Sequence, residues 1–186
     1  PSVEKFKNIL NKININKKSQ ISVDWLFKPK TLKDNLSWKN HKNKIGGELN
    51  NFFFHLVSVL FYFFGNLDIS LLSKKNNFYI FSFKSKKISF RVNFFAKSRI
   101  NKFKIEVQNK NIKYSLINNT KDYHNNYFIK KNNIIIFQKN FNKDKSRIYA
   151  SKKIIDLFIN KKNNLKRYVK FEQGLDIQKK IIDLRC

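Results

Sequence analysis

The chain has 186 residues and a formal net charge of +28, from 40 Lys and Arg against 12 Asp and Glu. Hydrophobic residues make up 41% of it, which is too large a share for a disordered tail, and the length suits one domain with or without extensions. The single cysteine excludes an internal disulfide framework. Positive charge spread along the whole chain favours nucleic acid over a membrane surface as the anionic partner.

The N-terminal part is predicted to hold a short helix over residues 3–16, followed by an irregular stretch over residues 19–46. The N-terminal stretch has neither the apolar centre of a secretory signal nor the Arg-rich pattern of an organellar transit peptide. Five apolar residues recur at helical spacing in the predicted helix: Val3, Phe6, Ile9, Leu10 and Ile13.

The most apolar segment is GELNNFFFHLVSVLFYFFGN, residues 47–66. Its uninterrupted apolar run is shorter than the roughly 20 residues that a bilayer-spanning helix needs, so we predict a core helix over residues 48–64 and no membrane span. Gly65 is a typical helix stop. His55 lies inside the segment and is predicted to be a buried, hydrogen-bonded imidazole.

Further along the chain, apolar and polar residues alternate with a period of two, which indicates half-buried strands joined by short turns. Helices are predicted again over residues 146–160 and near residues 175–184. The predicted strands cover residues 78–83, 88–94, 101–107, 111–116, 126–131 and 134–139.

These elements predict an α+β fold in which an antiparallel sheet packs on the buried apolar helix, with basic extensions. The predicted organisation has three parts. Residues 1–46 form a basic N-terminal extension with a short helix, residues 47–160 form the α+β core domain, and residues 161–186 form a basic linker and a C-terminal helix.

The basic residues concentrate on the predicted strands. From Ile69 to Ile105 the chain has ten basic residues and no acidic one, so the polar strand face is predicted to contact phosphates. Trp25 and Trp38 either stack on unpaired bases or pin the N-terminal segment to the body. The predicted RNA-binding residues are Lys28, Lys30, Trp38, Lys42, Lys84, Lys87, Arg91, Lys97, Arg99, Lys102, Lys104, Arg147, Lys166 and Arg167.

Catalytic constellations are missing from the sequence. The three histidines, His41, His55 and His124, have no metal-ligand spacing, and one cysteine cannot complete a zinc site. The carboxylates are scattered, and the four glycines form no phosphate-binding loop. We therefore predict no enzyme, no catalytic residue, no metal, no cofactor and no small-molecule substrate.

The composition carries a second signal. The chain has 35 Lys against 5 Arg, with 27 Asn and 20 Phe, which are residues with A/T-rich codons. Such a bias is typical of organelle genomes. If it discourages arginine, the few that remain, Arg91 among them, are the ones most needed for function.

A compact, Lys-rich chain of this size and bias resembles a ribosomal protein encoded in a mitochondrial genome. The resemblance implies a structural constituent of the mitochondrial ribosome in the matrix, with rRNA and neighbouring ribosomal proteins as partners. Residues 44–72, a glycine turn followed by a helix and a strand, faintly resemble the KH domain of a small-subunit protein, so the small subunit is preferred.

Two other function classes stay open. One is an organelle-encoded nucleic-acid-processing factor, such as an intron nuclease or a maturase-like protein, which would also be basic. The other is a peripheral subunit of a respiratory complex, with the apolar helix against a membrane partner.

Overall fold

The computed structural model describes residues 2–27, 49–96, 98–119, 126–138, 148, 152 and 171–184. In these residues the helices are α1 (Ser2–Lys12), α2 (Phe54–Phe64, preceded by a wider π-type turn over Leu49–Phe53) and α3 (Phe171–Asp183). The strands are β1 (Gln20–Phe27), β2 (Asp68–Lys75), β3 (Phe78–Lys84), β4 (Ser89–Ala96), β5 (Lys102–Asn109), β6 (Ile112–Asn118), β7 (Phe128–Lys131) and β8 (Ile134–Gln138).

The eight strands form one sheet in the order β2-β3-β4-β1-β5-β6-β7-β8. All neighbours are antiparallel except β1 and β4, which run parallel. The broad prediction of an α+β fold with a mainly antiparallel sheet is therefore confirmed. The first strand of the chain lies in the middle of the sheet, so its two sides are paired with segments about 70 and 80 residues downstream.

Strand β1 corrects the prediction that residues 19–46 are irregular. Its segment QISVDWLF alternates strictly, with Ile21, Val23, Trp25 and Phe27 buried and the residues between them facing the other way. The remainder of that stretch, from residue 28 on, lies outside the described residues. The six strands predicted further along the chain are confirmed as β3 to β8.

Tight turns close the hairpins. Asn132 and Asn133 both have positive φ, 46° and 72°, which suits the two-residue turn between β7 and β8. Asn76 and Lys110 have φ of 53° in the turns before β3 and β6. Because short asparagine-rich turns fix the register of their strands, local sequence accounts for these pairings.

The core lies between the helices and one face of the sheet. Phe53 stacks on Phe81 of β3 with ring centroids 4.1 Å apart, and Phe6 of α1 meets Phe63 of α2 edge-on at 5.4 Å. The helices bury seven further residues: Ser2 and Leu10 of α1, Leu56, Val57 and Leu60 of α2, and Ile177 and Ile181 of α3.

The prediction for His55 is wrong, because its side chain is exposed. It precedes the buried Leu56 by one position, and neighbouring residues on a helix point about 100° apart. The predicted helix itself is confirmed over residues 49–64. It ends at Gly65, whose φ of 83° and ψ of −163° suit glycine best and whose N–H donates to the Phe61 carbonyl at 2.8 Å.

Two lysines bond the chain between the end of α2 and the start of β2, one at the last turn of the helix and one just beyond it. Lys7 Nζ donates to the Phe63 carbonyl at 2.8 Å, and Lys180 Nζ donates to the Leu67 carbonyl at 2.9 Å. Burial lowers the pKa of Lys7. Cations at this position satisfy carbonyls that have no partner within the helix and complement its dipole, so α1 and α3 are fastened to the start of β2.

Of the two remaining helix predictions, one is confirmed and the other falls mostly outside the described residues. The C-terminal helix is confirmed as α3, which begins at Phe171. The helix predicted over residues 146–160 lies outside the described residues except at positions 148 and 152. None of the helices in the described ranges is both long and apolar enough to cross a bilayer.

Candidate functional site: the open face of the sheet

The sheet has one face in the core and an opposite face that we call the open face. On β4 and β1 the core face carries residues such as Phe94 and Val23, while the residues between them are exposed or half-buried. The polar residues of the open face include Ser70, Ser82, Lys84, Ser89, Arg91, Asn93, Ser22, Asp24, Lys102, Lys104, Glu106, Lys113, Ser115 and Lys130, as the strand registers place them. The same registers place apolar residues on this face as well, among them Leu26, Ile80 and Phe95.

Asp24 on the central strand is held by two neighbouring strands. The Asn93 amide of β4 donates to its Oδ1 at 2.8 Å, and the Lys102 ammonium of β5 donates to its Oδ2 at 2.7 Å. The pairing follows from the registers, since Asp24 opposes Asn93 on one side and lies diagonally from Lys102 on the other. Both carboxylate oxygens are therefore engaged.

Glu106 on β5 forms a second pair of the same kind. Lys104, two residues earlier on the same strand, reaches its Oε2 at 2.6 Å, and the Ser115 hydroxyl of β6 donates to the same oxygen at 3.0 Å. The Lys113 ammonium is 3.9 Å away. Ser115 is buried by this contact although it points to the open face.

Both carboxyl groups have lowered pKa values. Burial by itself raises the pKa of Asp24, but the hydrogen bonds from Lys102 and Asn93 and the charges of Lys102 and Lys104 outweigh it. For Glu106, burial is likewise outweighed by Lys104, Ser115 and Lys113. Both groups are therefore ionised at neutral pH and are unsuited to donating protons there.

The half of the open face on β2, β3 and β4 is built differently. Arg91 of β4 is exposed and opposes Ser82 of β3 on one side and Ser22 of β1 on the other. Ser89 lies two residues before it on the same face. Within the described residues the Arg91 guanidinium has no hydrogen-bond or ion-pair partner.

The structure places six of the predicted RNA-binding residues, and it does not bring them into one cluster. Arg91, Lys84, Lys102 and Lys104 lie on the open face, whereas Lys87 and Arg99 lie in loops at opposite ends of β4. The others lie outside the described residues: Lys28, Lys30, Trp38, Lys42, Lys97, Arg147, Lys166 and Arg167.

The interpretation of this face as an unbroken positive surface needs correction. Lys102 and Lys104 are each paired with a carboxylate. Residues 69–105 contain no acidic residue, but Asp24 of β1 and Glu106 at the following position of β5 lie beside these lysines in the folded sheet. Trp25 is buried and stacks on Phe27 at 4.8 Å, so it pins the N-terminal strand and is not available to bases.

Sequence reasoning missed the carboxylates and the serines of this face. Asp24 is the one charged residue on the polar side of QISVDWLF. The alternation of apolar and polar residues in that segment was enough to predict the strand and to place Asp24 on its polar side. Its lysine partner is 78 residues away along the chain, and no local pattern points to it. The described part of the chain contains no cluster of three or more metal-ligating side chains.

No protein-family model matches the sequence, and no curated protein matches it either. Solved structures do share the fold. A dehydrogenase (MviM) from Clostridium difficile is 16% identical with a TM-score of 0.60, covering 98% of this chain and 58% of that chain. The WlbA dehydrogenase from Bordetella pertussis, solved with NADH and UDP-GlcNAcA, is 10% identical with a TM-score of 0.62 and covers 98% of this chain and 56% of that one.

A third solved structure is biliverdin reductase from Synechocystis sp. PCC 6803, in complex with biliverdin and NADP+. It is 9% identical, has a TM-score of 0.56, and the match covers 99% of this chain and 60% of that chain. The chain thus spans less than two thirds of the length of each of these structures. At such low identity the matches show the fold alone.

These matches overturn the interpretation as a mitochondrial ribosomal protein with rRNA and ribosomal neighbours as partners. The three solved structures named above are dehydrogenases and a reductase. They equally contradict the predictions that the chain is not an enzyme and has no small-molecule substrate. The physical reason for the error is that composition reports charge and codon usage, whereas the sheet order depends on contacts that composition does not encode.

The same fold matches lend no support to the two alternatives, a nucleic-acid-processing factor and a respiratory-complex subunit. The predicted location in the mitochondrial matrix, which rests on composition, stays a prediction.

Proposed function

We propose that this chain is the sheet domain of a dehydrogenase-type oxidoreductase. In this proposal it binds an anionic small-molecule substrate at its open face, and a separate domain or a partner chain holds the nicotinamide dinucleotide. The observation that supports it best is the pattern of coverage: the fold matches take in 97–100% of this chain but only 52–60% of the dehydrogenases and reductases.

The residues of this chain do not fit a dinucleotide site. A dinucleotide fold uses a parallel sheet with a G-x-G-x-x-G turn between its first strand and helix. The four glycines here, Gly46, Gly47, Gly65 and Gly174, have no such spacing, and the described sheet has one parallel pair among seven. We therefore assign no step of the reaction to a dinucleotide bound by these residues.

The charges of the open face favour an anionic substrate. Lys84, Arg91, Lys102, Lys104 and Lys130 lie there with two central carboxylates, Asp24 and Glu106. Two of the neighbours named above were solved with UDP-GlcNAcA and with biliverdin, both of which carry negative charge at neutral pH. Opposite charge raises the rate of association and suppresses wrong partners.

Within this site the roles follow from protonation. Asp24 is ionised at neutral pH, so it fixes the Lys102 ammonium at 2.7 Å and leaves the remaining N–H bonds of that ammonium for a ligand. Glu106 does the same for Lys104 at 2.6 Å. The lysines bind, and the carboxylates position them.

The finer architecture is part of the proposal. We take α2 to be the helix on which the sheet packs, because Leu56, Val57, Leu60 and Phe63 are buried in the same cluster as the core face of the strands. Its other apolar residues are half-buried. In this proposal α1 and β1 belong to the core domain, because Phe6 and Leu10 of α1 and Val23 of β1 are buried in the same cluster.

Binding and fluorescence measurements test the proposal. In 0.15 M NaCl, calorimetric titration with UDP-GlcNAcA and with biliverdin is expected to show saturable binding of at least one of them. Lys102→Gln is expected to weaken that binding, whereas Lys179→Gln, an exposed position on α3, leaves it unchanged. NADH fluorescence is expected to stay as in buffer, because the nicotinamide has no site here.

Two outcomes would contradict the proposal. One is binding of neither ligand. The other is a blue-shifted, enhanced NADH fluorescence, which would show that these residues hold the nicotinamide themselves.

A further inference from the structure

Arg91 stands out among the cations of the open face. It is one of five arginines in a chain with 35 lysines, and it lies near the middle of the sheet, on the strand next to the central β1. A guanidinium offers five N–H donors in a planar fork, and in the described residues none of those of Arg91 is used within the protein. An exposed, unpaired fork of this kind is suited to an oxyanion.

Hydroxyl groups surround this guanidinium. Ser82 and Ser22 oppose Arg91 directly on the two adjoining strands, and Ser89 precedes it by two residues on the same face. Directly opposed residues have Cβ atoms about 5 Å apart, so hydroxyls flank the base of the Arg91 side chain on both sides. The three hydroxyls make no hydrogen bonds among the described residues.

The neighbouring carboxylates do not compete for Arg91. Asp24 lies diagonally from Arg91, but its two oxygens accept hydrogen bonds from Asn93 and Lys102. Glu106 lies two strands from Arg91 and directly opposes Ser22, and its Oε2 is engaged by Lys104 and Ser115. Asp68, at the start of β2, is in line with Lys84 and Ser89 of the next two strands and is 3.5 Å from the Lys180 ammonium. Among the residues that the structure describes, the Arg91 guanidinium is therefore left without an acceptor.

We infer that Arg91, Ser22, Ser82 and Ser89 form a binding site for the phosphoryl group of a small-molecule ligand. A phosphoryl group presents three oxygens in different directions, which match a planar fork in the centre and hydroxyls on either side. A carboxylate has two oxygens in one plane and uses the fork alone. Assigning the phosphoryl group to the oxidoreductase substrate rests on the proposed function, whereas the site itself does not.

The test uses inorganic pyrophosphate as the probe and the whole chain in 0.15 M NaCl, followed by calorimetric titration. Arg91→Gln is expected to weaken binding by at least about tenfold, since a charged hydrogen-bonding partner is lost. Arg91→Lys keeps the charge but loses the fork, so it also weakens binding severalfold. The Ser22→Ala, Ser82→Ala double variant weakens binding severalfold with every charge unchanged.

The matched control is Arg99→Gln, which removes an exposed guanidinium from the loop after β4 and is expected to change pyrophosphate binding less than twofold. Acetate is expected to bind much more weakly than pyrophosphate. Thermal unfolding of all variants is expected to match the wild type, because the substituted residues are exposed or half-buried. Should Arg91→Gln unfold, Arg91→Lys and the serine variant decide the question.

Several results would overturn the site: no pyrophosphate binding by the wild type, equal losses in Arg91→Gln and Arg99→Gln, or full affinity in Arg91→Lys. Failure of the proposed function looks different. In that case pyrophosphate binding depends on Arg91, while neither UDP-GlcNAcA nor biliverdin binds.

Discussion

The two halves of the open face use similar residue types with opposite results. On β1, β5 and β6, Asp24 and Glu106 are each held by a lysine and a polar neighbour. On β2, β3 and β4, Arg91 lies among serines and has no acceptor in the described part of the chain. The difference teaches that charge count does not identify a binding surface, because what a cation offers to a ligand depends on whether a carboxylate of the protein already holds and orients it.

We call the part of the open face on β1, β5 and β6 the paired half, and the part around Arg91 on β2, β3 and β4 the unpaired half. The largest effect on stability is expected when a carboxylate of the paired half is replaced by a cation. Glu106→Lys removes the acceptor of Ser115 and places a third ammonium between Lys104 and Lys113. We expect the free energy of unfolding in urea to fall by about 2–3 kcal/mol. Asp176→Lys, the same charge change at an exposed site on α3, is expected to cost less than about 1 kcal/mol. Equal losses of stability in the two variants would mean that the change in net charge alone causes the destabilisation.

Removal of the other carboxylate is expected to have a smaller effect. Asp24→Ala leaves Asn93 and Lys102 without their acceptor in a half-buried position, which lowers the free energy of unfolding by about 1–2 kcal/mol. Asp24→Asn keeps an acceptor and is expected to fall between the wild type and the alanine variant. Asp176→Ala is the control for lost negative charge. A stability of Asp24→Ala equal to that control would refute the structural role of the pair.

Acid should weaken the paired half. Both carboxyls have folded-state pKa values below their ordinary values, 3.8 for Asp24 and 4.5 for Glu106. A lowered pKa gives stability that is fully present above the pKa of the unfolded chain and is lost as the pH falls through the folded value. Urea midpoints are therefore expected to hold from pH 7 to about pH 5.5 and to drop below about pH 4.5.

The Asp24→Asn, Glu106→Gln double variant should lose part of this acid-dependent drop. Its matched control, Glu172→Gln with Asp176→Asn, substitutes exposed carboxyls of α3 and should keep the wild-type profile. Identical profiles in the two double variants would show that the strand carboxyls do not cause the drop.

The smallest effect is expected in the unpaired half, and it has the opposite sign. Ser82→Asp gives Arg91 a carboxylate directly across the strand pair, so it should raise the free energy of unfolding by up to about 0.5 kcal/mol. The gain should shrink at 0.5 M NaCl and be accompanied by loss of pyrophosphate binding. Ser70→Asp, one strand further away, is the control. Destabilisation by Ser82→Asp would indicate that Arg91 already has an acceptor.

Much of the fold could be read from local patterns. The alternation in strands β3 to β8 and the asparagines at the turns predicted these hairpins, because register and turn geometry are set by residues close together in the chain. Strand β1 was missed although its alternation is equally strict, since the lysines and Pro29 after it suggested one long irregular segment. Strand β2 was not predicted, because its residues DISLLSKK alternate poorly across a bulge.

The functional prediction failed for a physical reason as well. Lysine content fixes how many cations the chain has, and it says nothing of which carboxylates they meet after folding. Asp24 lies 69 residues from Asn93 and 78 from Lys102, so the cluster forms only when β1 enters between β4 and β5. The sequence by itself determined the helices α1 and α2, the hairpins and the charge, because these depend on neighbours along the chain. The tertiary structure alone decided the central position of β1, the paired and unpaired halves of the open face, and the likeness to dehydrogenases, because these depend on contacts between distant segments.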